Sequence, residues 1–440
     1  MRFLLFRPQD TTMTWLLNSI YLVATVALSP LVIYRTLKHN RYKTGWGERC
    51  GNVTRKNMQS PCIWLHGVSV GEINATKTVV AELEARYPDH EIVVSSTTDT
   101  GHARAKALYA ENHTVFFFPL DPSPFVRRAF AQLKPSLCLL MELEVWPNFL
   151  KEARRRQVPI VVINGRISDR SYKSYKRVKP LLAGTFKSLS LILAQTEEYA
   201  NRFIDLGCPT KQVHVTGSLK YDTAEICDTV EGAAQLNACL GLSDSPLWVA
   251  GGTGTDEEGL ILKAFKKLKT RKELANLRLV VVPRKPERFE QVAQTILNAG
   301  FSLMRYSDLK DRRSPLSMDT KAVILGDTMG DLRAFYSLAS VAFVGRSLVP
   351  MGGSDMMEVV ALGKPTVFGP YTFNFRQTVT ALKTAQGALE VTDEKTLCDS
   401  VFRCLTDKNF ANDLAVKGRQ VILDHQGATQ KSVTLLSSLL

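Results

Sequence analysis

Short apolar runs alternate with helical patterns along most of the chain, and this alternation constrains the fold more than any other feature. Seven runs lie in the first half, at residues 63–65, 91–95, 115–118, 136–141, 160–163, 191–194 and 213–216. Most are continuously apolar, which is typical of strands covered on both faces of a parallel sheet. After a polar stretch at residues 224–245, a second series occupies residues 247–250, 278–282, 322–325, 341–344 and 366–368. Two series in tandem predict two doubly wound α/β domains with a cleft between them.

The composition suits a folded two-domain protein with an anionic partner. At 440 residues the chain is too long for one ordinary hydrophobic core. Its 56 Lys and Arg residues exceed 42 Asp and Glu residues, and the net charge of +14 suits nucleic acid, an anionic membrane or a phosphorylated substrate. No nucleic-acid-binding pattern is evident, which disfavours the first of these partners. The eight cysteines are scattered singly without a C-x-x-C pair, as is typical of reduced thiols in a cytosolic domain.

The amino-terminal segment predicts a membrane attachment. Residues 13–34 contain no charged side chain and are mostly apolar, and about 20 such residues are enough to span a bilayer. Basic residues follow this stretch at Arg35, Lys38, Arg41, Lys43 and Arg49. The positive-inside rule therefore places the following domain in the cytoplasm, at the inner face of the membrane. A helix that lies in the membrane interface, rather than spanning the bilayer, is the alternative for this segment.

A candidate general base follows the first apolar run. The segment His66-Gly67-Val68-Ser69-Val70-Gly71-Glu72 reads as a tight turn between a strand and a helix, with Glu72 at the start of the helix. A partly desolvated carboxylate at the mouth of an α/β cleft can act as a general base. Alternatively, Glu72 is a helix-starting residue that complements the helix dipole.

Further blocks follow in a fixed order. They are MELEVWPN at 141–148, NGR at 164–166, AQTE at 194–197, TGSLKYD at 216–222, VPRKPERF at 282–289, GDTMGDL at 326–332, GKP at 363–365 and FGP at 368–370. Together with the block that contains Glu72, this ordered set resembles the Kdo transferase family. Members of that family add 3-deoxy-D-manno-octulosonic acid (Kdo) to lipid A precursors. The resemblance extends over roughly residues 35–390.

The resemblance implies the GT-B glycosyltransferase fold, an α/β architecture of two Rossmann-like domains. It implies a membrane anchor at residues 1–40, an acceptor-binding domain at 41–230 and a CMP-sugar-binding domain at 240–425. The implied reaction is the inverting transfer of Kdo from CMP-Kdo to a phosphorylated lipid A precursor in lipopolysaccharide core biosynthesis. One alternative is another membrane-associated GT-B transferase that uses a UDP-sugar donor. A second alternative is a membrane-attached binding protein on a retired transferase fold, which would predict the loss of Glu72 or Arg284.

The resemblance also implies roles for particular residues. Glu72 is the expected base, and Glu142 and Lys220 match positions that stabilise the transition state. Without the resemblance, Glu142 would be a strand-end charge and Lys220 a solvated loop lysine. The expected donor-binding residues are Pro283 and Arg284 for the phosphate, the backbone of Met329, Gly330 and Asp331 for the nucleotide, and Asp355, Met356, Met357 and Glu358 near the ribose. Arg284 alone would be a solvated charge in a basic segment.

Several positions depart from familiar patterns. Asp355 stands where the family usually has Asn, Gly67 where it usually has Ser, and Gly254 where it often has His. The Rossmann dinucleotide fingerprint is not met either, because Glu257 occupies the third glycine position after Gly252 and Gly254. The seven histidines show no metal-ligand spacing. We therefore expect no metal and no cofactor other than the CMP-Kdo substrate.

Overall fold

The computed structural model describes residues 44–440 except 243, 244, 311–318 and 320, together with residues 18, 19, 21, 23, 27, 30, 34 and 38. The chain forms two compact units. Unit 1 comprises Met1–Thr223 and Gln426–Leu440, and unit 2 comprises Ala224–His425. The predicted membrane anchor at residues 1–40 falls largely outside the described residues. No helix within the described part of the chain is both long and apolar enough to cross a bilayer.

Unit 1 is built on a parallel sheet. Its strands, as far as the chain is described, are β1 (Cys62–His66), β2 (Glu91–Ser96), β3 (Thr114–Phe117), β4 (Leu137–Met141), β5 (Ile160–Gly165), β6 (Leu191–Ala194) and β7 (Val213–Val215), in the order β3-β2-β1-β4-β5-β6-β7. The strand order reverses between β1 and β4, which pair directly. In open α/β sheets, ligands bind outside the carboxyl ends of the strands at such a switch point.

Unit 2 repeats this plan. Its described strands are β8 (Leu247–Thr253), β9 (Arg278–Pro283), β10 (Leu303–Arg305), β11 (Val323–Leu325), β12 (Val341–Val344), β13 (Thr366–Phe368) and β14 (Leu389–Glu390), in the order β10-β11-β9-β8-β12-β13-β14. All their pairings are parallel, and the switch point lies between β8 and β12. Sequence patterns did not indicate β10 and β14, because these edge strands have two or three residues and are partly exposed.

Helices connect the strands on both faces of each sheet. In unit 1 they are α1 (Trp46–Arg49), α2 (Val70–Ala75), α3 (Lys77–Arg86), α4 (Asp99–Tyr109), α5 (Ser123–Leu133), α6 (Pro147–Arg155), α7 (Asp169–Arg177), α8 (Lys179–Lys187), α9 (Glu197–Leu206) and α10 (Leu219–Asp222). Unit 2 contains α11 (Ala233–Leu240), α12 (Glu257–Lys269), α13 (Phe289–Asn298), α14 (Tyr306–Lys310), α15 (Leu332–Leu338), α16 (Met357–Ala361), α17 (Arg376–Thr384), α18 (Glu394–Thr406) and α19 (Lys408–His425). The last helix, α20 (Ala428–Leu436), returns to unit 1.

The apolar runs form strands because both faces of each sheet are covered. Every residue of β1 is buried, and successive side chains point to opposite faces. Trp64 packs on one face with Phe130 and Phe149, at ring-centroid distances of 5.4 and 5.1 Å. Its neighbours Ile63 and Leu65 join the core on the other face. This double burial explains why the runs are continuously apolar instead of alternating.

Candidate active site

Glu72 lies in the first turn of α2, just beyond the carboxyl end of β1. The Ser69 hydroxyl accepts a hydrogen bond from the Glu72 N–H (3.3 Å) and donates one to Glu72 Oε1 (2.8 Å). The Val68 N–H donates to Glu72 Oε2 (2.9 Å). These contacts are those of a helix cap, so the helix-starting interpretation describes part of the role of Glu72. A carboxylate has about four acceptor positions, and this half-buried group retains acceptor capacity for a substrate hydroxyl.

Glu142 directly follows β4, the strand beside β1. Its backbone is left-handed, with φ of 56°, and its N–H donates to the Ile163 carbonyl at 3.0 Å. Such a conformation is uncommon for a residue with a side chain. Burial raises the pKa of Glu142, and the charge of Glu72 raises it further, whereas Arg166 and Lys220 oppose the shift. The structure therefore brings Glu72, Glu142 and Lys220 into one electrostatic environment.

Glu144 belongs to the same carboxylate cluster, although sequence reasoning did not select it. Burial raises its pKa to about 7; a hydrogen bond from Trp146 Nε1 (2.8 Å) opposes the shift, and the charges of Glu72 and Glu142 add to it. Its Oε2 lies 4.0 Å from Nε2 of His66. The 141–148 block contained the signal. However, a single sequence does not show that both glutamates of Glu-Leu-Glu lie beside Glu72.

His66 is a buried neutral imidazole next to these carboxylates. Burial lowers its pKa to about 3, and its Nδ1 lies 3.0 Å from the Ser95 hydroxyl and 3.1 Å from the Ser95 carbonyl oxygen. The ring stacks on Phe118 with centroids 3.8 Å apart. His66 therefore stays uncharged near neutral pH, and it contributes shape and polarity instead of a titrating charge.

Three of the scattered sequence blocks meet at Asn164. This buried residue has φ of 54°, and its Oδ1 accepts a hydrogen bond from the Leu219 N–H at 3.1 Å. Gln195 Nε2 donates to the Asn164 carbonyl at 3.1 Å. Leu219 begins α10, the single-turn helix that carries Lys220. The Lys220 helix is thus held at the carboxyl edge of the sheet by hydrogen bonds that join blocks 164–166, 194–197 and 216–222.

In unit 2, a second group of charges gathers at the carboxyl edge of the sheet. Arg284 follows β9, is exposed, and donates its N–H to the Thr253 carbonyl at 3.1 Å, whereas the preceding Pro283 is buried. Glu358 lies in the first turn of α16. Desolvation by nearby protein atoms raises the pKa of the Glu358 carboxyl to about 7, and Asp355 adds to the shift, whereas Arg284 and Arg333 oppose it. Arg284, Asp355 and Glu358 are therefore electrostatic neighbours.

Asp355 caps the start of α16. Its Oδ1 accepts a hydrogen bond from the Met357 N–H at 2.9 Å. Because an Asn side chain offers the same oxygen, the Asp keeps this contact and adds a negative charge beside Glu358. The side chains of Met356 and Met357 are buried in unit 2. Among residues 355–358, Asp355 and Glu358 are therefore the ones that reach solvent.

The 326–332 block forms an open turn between β11 and α15. Met329 is 70% exposed, and Gly330 has φ of 95° with open space where a side chain would project. Asp331 Oδ2 accepts hydrogen bonds from the Thr328 hydroxyl (2.6 Å) and from Lys310 Nζ (2.8 Å). The Asp331 carboxylate is thus engaged within the turn, which leaves the backbone around Gly330 exposed.

Glu257 explains the interrupted glycine pattern after β8. Its buried carboxylate accepts backbone N–H bonds from Gly254 (2.7 Å), Ser347 (2.7 Å) and Leu348 (2.8 Å). The side chain ties the loop after β8 to the loop after β12, a structural role. Across the described residues, no group of three His, Cys, Asp or Glu side chains is arranged to hold a metal ion.

Two parallel-sheet α/β domains, each with charged side chains at the carboxyl edge of its sheet, define a protein of the GT-B fold. Solved structures share this fold. UDP-GlcNAc 2-epimerase from Neisseria meningitidis aligns with a TM-score of 0.58 and 13% identity, over 86% of this chain and 100% of that chain. A glycosyltransferase from Rickettsia africae aligns with a TM-score of 0.57 and 13% identity, over 86% and 98% of the two chains.

Sequence comparison identifies the family. The profile of 3-deoxy-D-manno-octulosonic-acid transferase (kdotransferase) matches residues 44–223. The 3-deoxy-D-manno-octulosonic acid transferase of Haemophilus influenzae is 33% identical over 92% of this chain and 93% of its own length. That of Bordetella pertussis is 30% identical over 96% and 99% of the two chains. The chain belongs to the Kdo transferase family and is a Kdo glycosyltransferase, so a UDP-sugar donor is not favoured.

Proposed function

We propose that this enzyme transfers Kdo from CMP-Kdo to a phosphorylated lipid A precursor, with inversion at the anomeric carbon, in lipopolysaccharide biosynthesis. The observation that carries the proposal is the cluster of Glu72, Glu142 and Glu144 at the switch point of the unit 1 sheet, with Lys220 close enough to act on the charge of Glu142. Membership of the Kdo transferase family supports Kdo as the sugar that is transferred. The net charge of +14 suits an acceptor that carries phosphates in an anionic membrane.

In this proposal Glu72 is the general base. The acceptor hydroxyl gives its proton to the Glu72 carboxylate while its oxygen attacks the anomeric carbon of Kdo. The bond from that carbon to the CMP phosphate breaks in the same displacement, and CMP leaves from the opposite face. The bonds from the Val68 N–H and the Ser69 hydroxyl hold the carboxylate in one orientation. Positioning of this kind lowers the entropic part of the barrier.

Glu142 and Lys220 act on the charges that develop during transfer. The sugar centre gains positive, oxocarbenium-like character, which a nearby carboxylate stabilises. The ammonium group of Lys220 opposes the negative charge of the carboxylate cluster and suits the anionic groups of the substrates. Because a partly buried site has a lower effective dielectric than water, each of these interactions is stronger than it would be at a free surface.

Donor recognition is assigned to unit 2. A guanidinium can hold a phosphate by two hydrogen bonds, so Arg284, with Pro283 before it, is assigned to the CMP phosphate. The exposed backbone at Met329, Gly330 and Asp331 faces the nucleotide. The segment Asp355-Met356-Met357-Glu358 is assigned to the ribose, whose hydroxyls donate to Glu358. Arg284 thereby supplies the charge neutralisation at the leaving phosphate, and the proposed mechanism assigns no step to a metal or other cofactor.

We further propose that the protein acts at the cytoplasmic side of the inner membrane. The apolar stretch at residues 13–34 would attach the chain to the membrane, and the basic residues that follow it would stay on the cytoplasmic side. A lipid acceptor would then reach the enzyme without leaving the bilayer surface.

The test is transfer by the full chain in detergent, from CMP-Kdo to a tetra-acylated lipid A precursor, read by mass spectrometry. We expect Kdo mass additions with the wild type and a rate loss of about 10²–10⁴-fold with Glu72→Gln. Ser69→Ala is the matched control, because it removes the cap partner and leaves the carboxylate. The Val68 N–H still orients the carboxylate in this variant, so its rate should fall by no more than about fivefold, the equivalent of the roughly 1 kcal/mol that such a cap is worth. Equal losses in both variants would show that Glu72 acts only as a cap.

A further inference from the structure

The helix that carries Lys220 is joined to the segment where the chain re-enters unit 1. Gly427 N–H donates to Asp222 Oδ1 at 2.7 Å, and Thr429 N–H donates to Asp222 Oδ2. Gln426 Nε2 also donates to the Tyr221 carbonyl at 3.1 Å. Asp222 is the last residue of α10, and Gly427 is the cap position of α20, so all these contacts lie within unit 1.

Asp222 caps α20 from a distant part of the sequence. The cap residue of α20 is Gly427, which has φ of 97° and no side chain to accept from the first N–H groups of the helix. Both oxygens of the Asp222 carboxylate take over this function. Charge-assisted bonds at a helix amino terminus are among the stronger polar contacts in proteins. The contact therefore fixes Asp222 as firmly as it fixes α20.

The capped helix is itself anchored to α3, the helix that follows the Glu72 helix. Thr429 Oγ1 lies 2.8 Å from Thr78 Oγ1 on α3, and Arg86 Nη1 donates to Thr434 Oγ1 at 3.2 Å. The buried side chains of α20 share one apolar core with two residues near the site, Ile73 of α2 and Leu219 of α10. Helix α20 thus contacts both the elements that follow Glu72 and the element that carries Lys220.

Helix α10 depends on such anchors. It has four residues, and a single helical turn is unstable without tertiary contacts. Its first N–H is held by Asn164 and its last side chain by α20. Lys220 and Asp222 are two positions apart, so their side chains do not face each other along the helix. Asp222 therefore acts on Lys220 through the backbone and not by pairing with its charge.

We propose that Asp222 is a positioning residue for the transferase reaction, and that by capping α20 it holds Lys220 in place beside Glu72 and Glu142. The inference rests on the role proposed above for Lys220. Displacing a catalytic group by about 1 Å can cost about 10²-fold in rate. Asp222→Asn keeps one acceptor oxygen but loses the second and the charge, so it should release the carboxyl end of α10.

The experiment is steady-state kinetics of the full chain with Asp222→Asn, Asp222→Glu, Lys220→Ala and the Asp222→Asn/Lys220→Ala double variant. We expect Asp222→Asn to lower kcat by about 10–100-fold. The KM for CMP-Kdo should change less than kcat, because the residues assigned to the donor nucleotide lie in unit 2. Asp222→Glu should recover part of the loss. The double variant should be no slower than Lys220→Ala alone, since a positioning residue has no effect once its target is gone.

Asp393→Ala is the matched control. Asp393 caps α18 in unit 2 by accepting from the Thr396 N–H at 2.8 Å, away from the proposed catalytic residues. Its loss should weaken a helix cap in the same way while leaving kcat unchanged. An equal fall of kcat in the Asp393 and Asp222 variants, unchanged kcat in Asp222→Asn, or additive losses in the double variant would each overturn the inference.

A second readout separates this inference from the proposed function. If the wild type fails to transfer Kdo to the lipid A precursor, the proposed function falls, and hydrogen exchange then tests the positioning of α10. Amide exchange at residues 219–223 should be faster in Asp222→Asn than in the wild type and unchanged in Asp393→Ala. Unchanged exchange at these residues in Asp222→Asn would refute the coupling between Asp222 and the Lys220 helix.

Discussion

The Glu358 carboxyl predicts a pH dependence for donor binding. Desolvation by nearby protein atoms and the negative charge of Asp355 raise its pKa from 4.5 to about 7. In the proposed function the ionised form accepts hydrogen bonds from the ribose, and protonation removes acceptor capacity. With a pKa near 7, about nine-tenths of the groups are ionised at pH 8 and about one-tenth at pH 6. The affinity for CMP should therefore fall by up to about tenfold between pH 8 and pH 6.

The variant Asp355→Asn tests the electrostatic part of this shift, which adds to the larger effect of desolvation. It removes the negative charge that raises the pKa of Glu358, but keeps the side-chain oxygen that accepts from the Met357 N–H. We expect the midpoint of the binding profile to move to lower pH and the affinity at pH 6 to increase. Glu358→Gln should remove this component of the pH dependence altogether.

Calorimetric titration of the full chain with CMP at pH 6, 7 and 8 measures the effect. The phosphate of free CMP itself titrates near pH 6, so the wild-type affinities are divided by those of Glu358→Gln at each pH. A ratio that does not change with pH would refute the assignment of Glu358 to the donor site. An Asp355→Asn midpoint equal to or above that of the wild type would refute the electrostatic argument.

Two further substitutions test what supports the site. Trp64 is fully buried, and its Nε1 donates a hydrogen bond to Ser95 Oγ at 2.8 Å. In urea unfolding, Trp64→Ala should therefore lower the free energy of unfolding of unit 1 by about 3–5 kcal/mol. The loss for Trp64→Phe should be smaller. A loss below about 1 kcal/mol would contradict the packing described for this side chain. Asp121 accepts from the N–H groups of Asn148 (3.0 Å) and Phe149 (2.9 Å) at the start of α6. In the same assay, Asp121→Ala should therefore lower the free energy of unfolding by about 1–2 kcal/mol, and Asp121→Asn should lower it less. Equal stability of Asp121→Ala and the wild type would argue against this cap.

Local sequence patterns were sufficient to predict most strands of the two sheets. The twelve apolar runs expected as strands correspond to β1–β9 and β11–β13, because strands buried on both faces must be apolar at every position. The edge strands β10 and β14 lack that burial and carry no such signature. The ordered blocks likewise indicated the Kdo transferase family, which the relatives in Haemophilus influenzae and Bordetella pertussis confirm.

The neighbourhood of the candidate catalytic residues was decided by the tertiary structure. Glu144 lies beside Glu72 because β4 pairs with β1, although the paired residues Leu65 and Leu139 are 74 positions apart in the sequence. Asp222 meets Gly427 because the chain returns to unit 1 after His425. Periodicity and spacing report contacts within a strand or a helix turn, whereas these contacts depend on strand order and on the path of the chain. The sequence by itself therefore determined the elements and the family, and the topology determined which charges share a site.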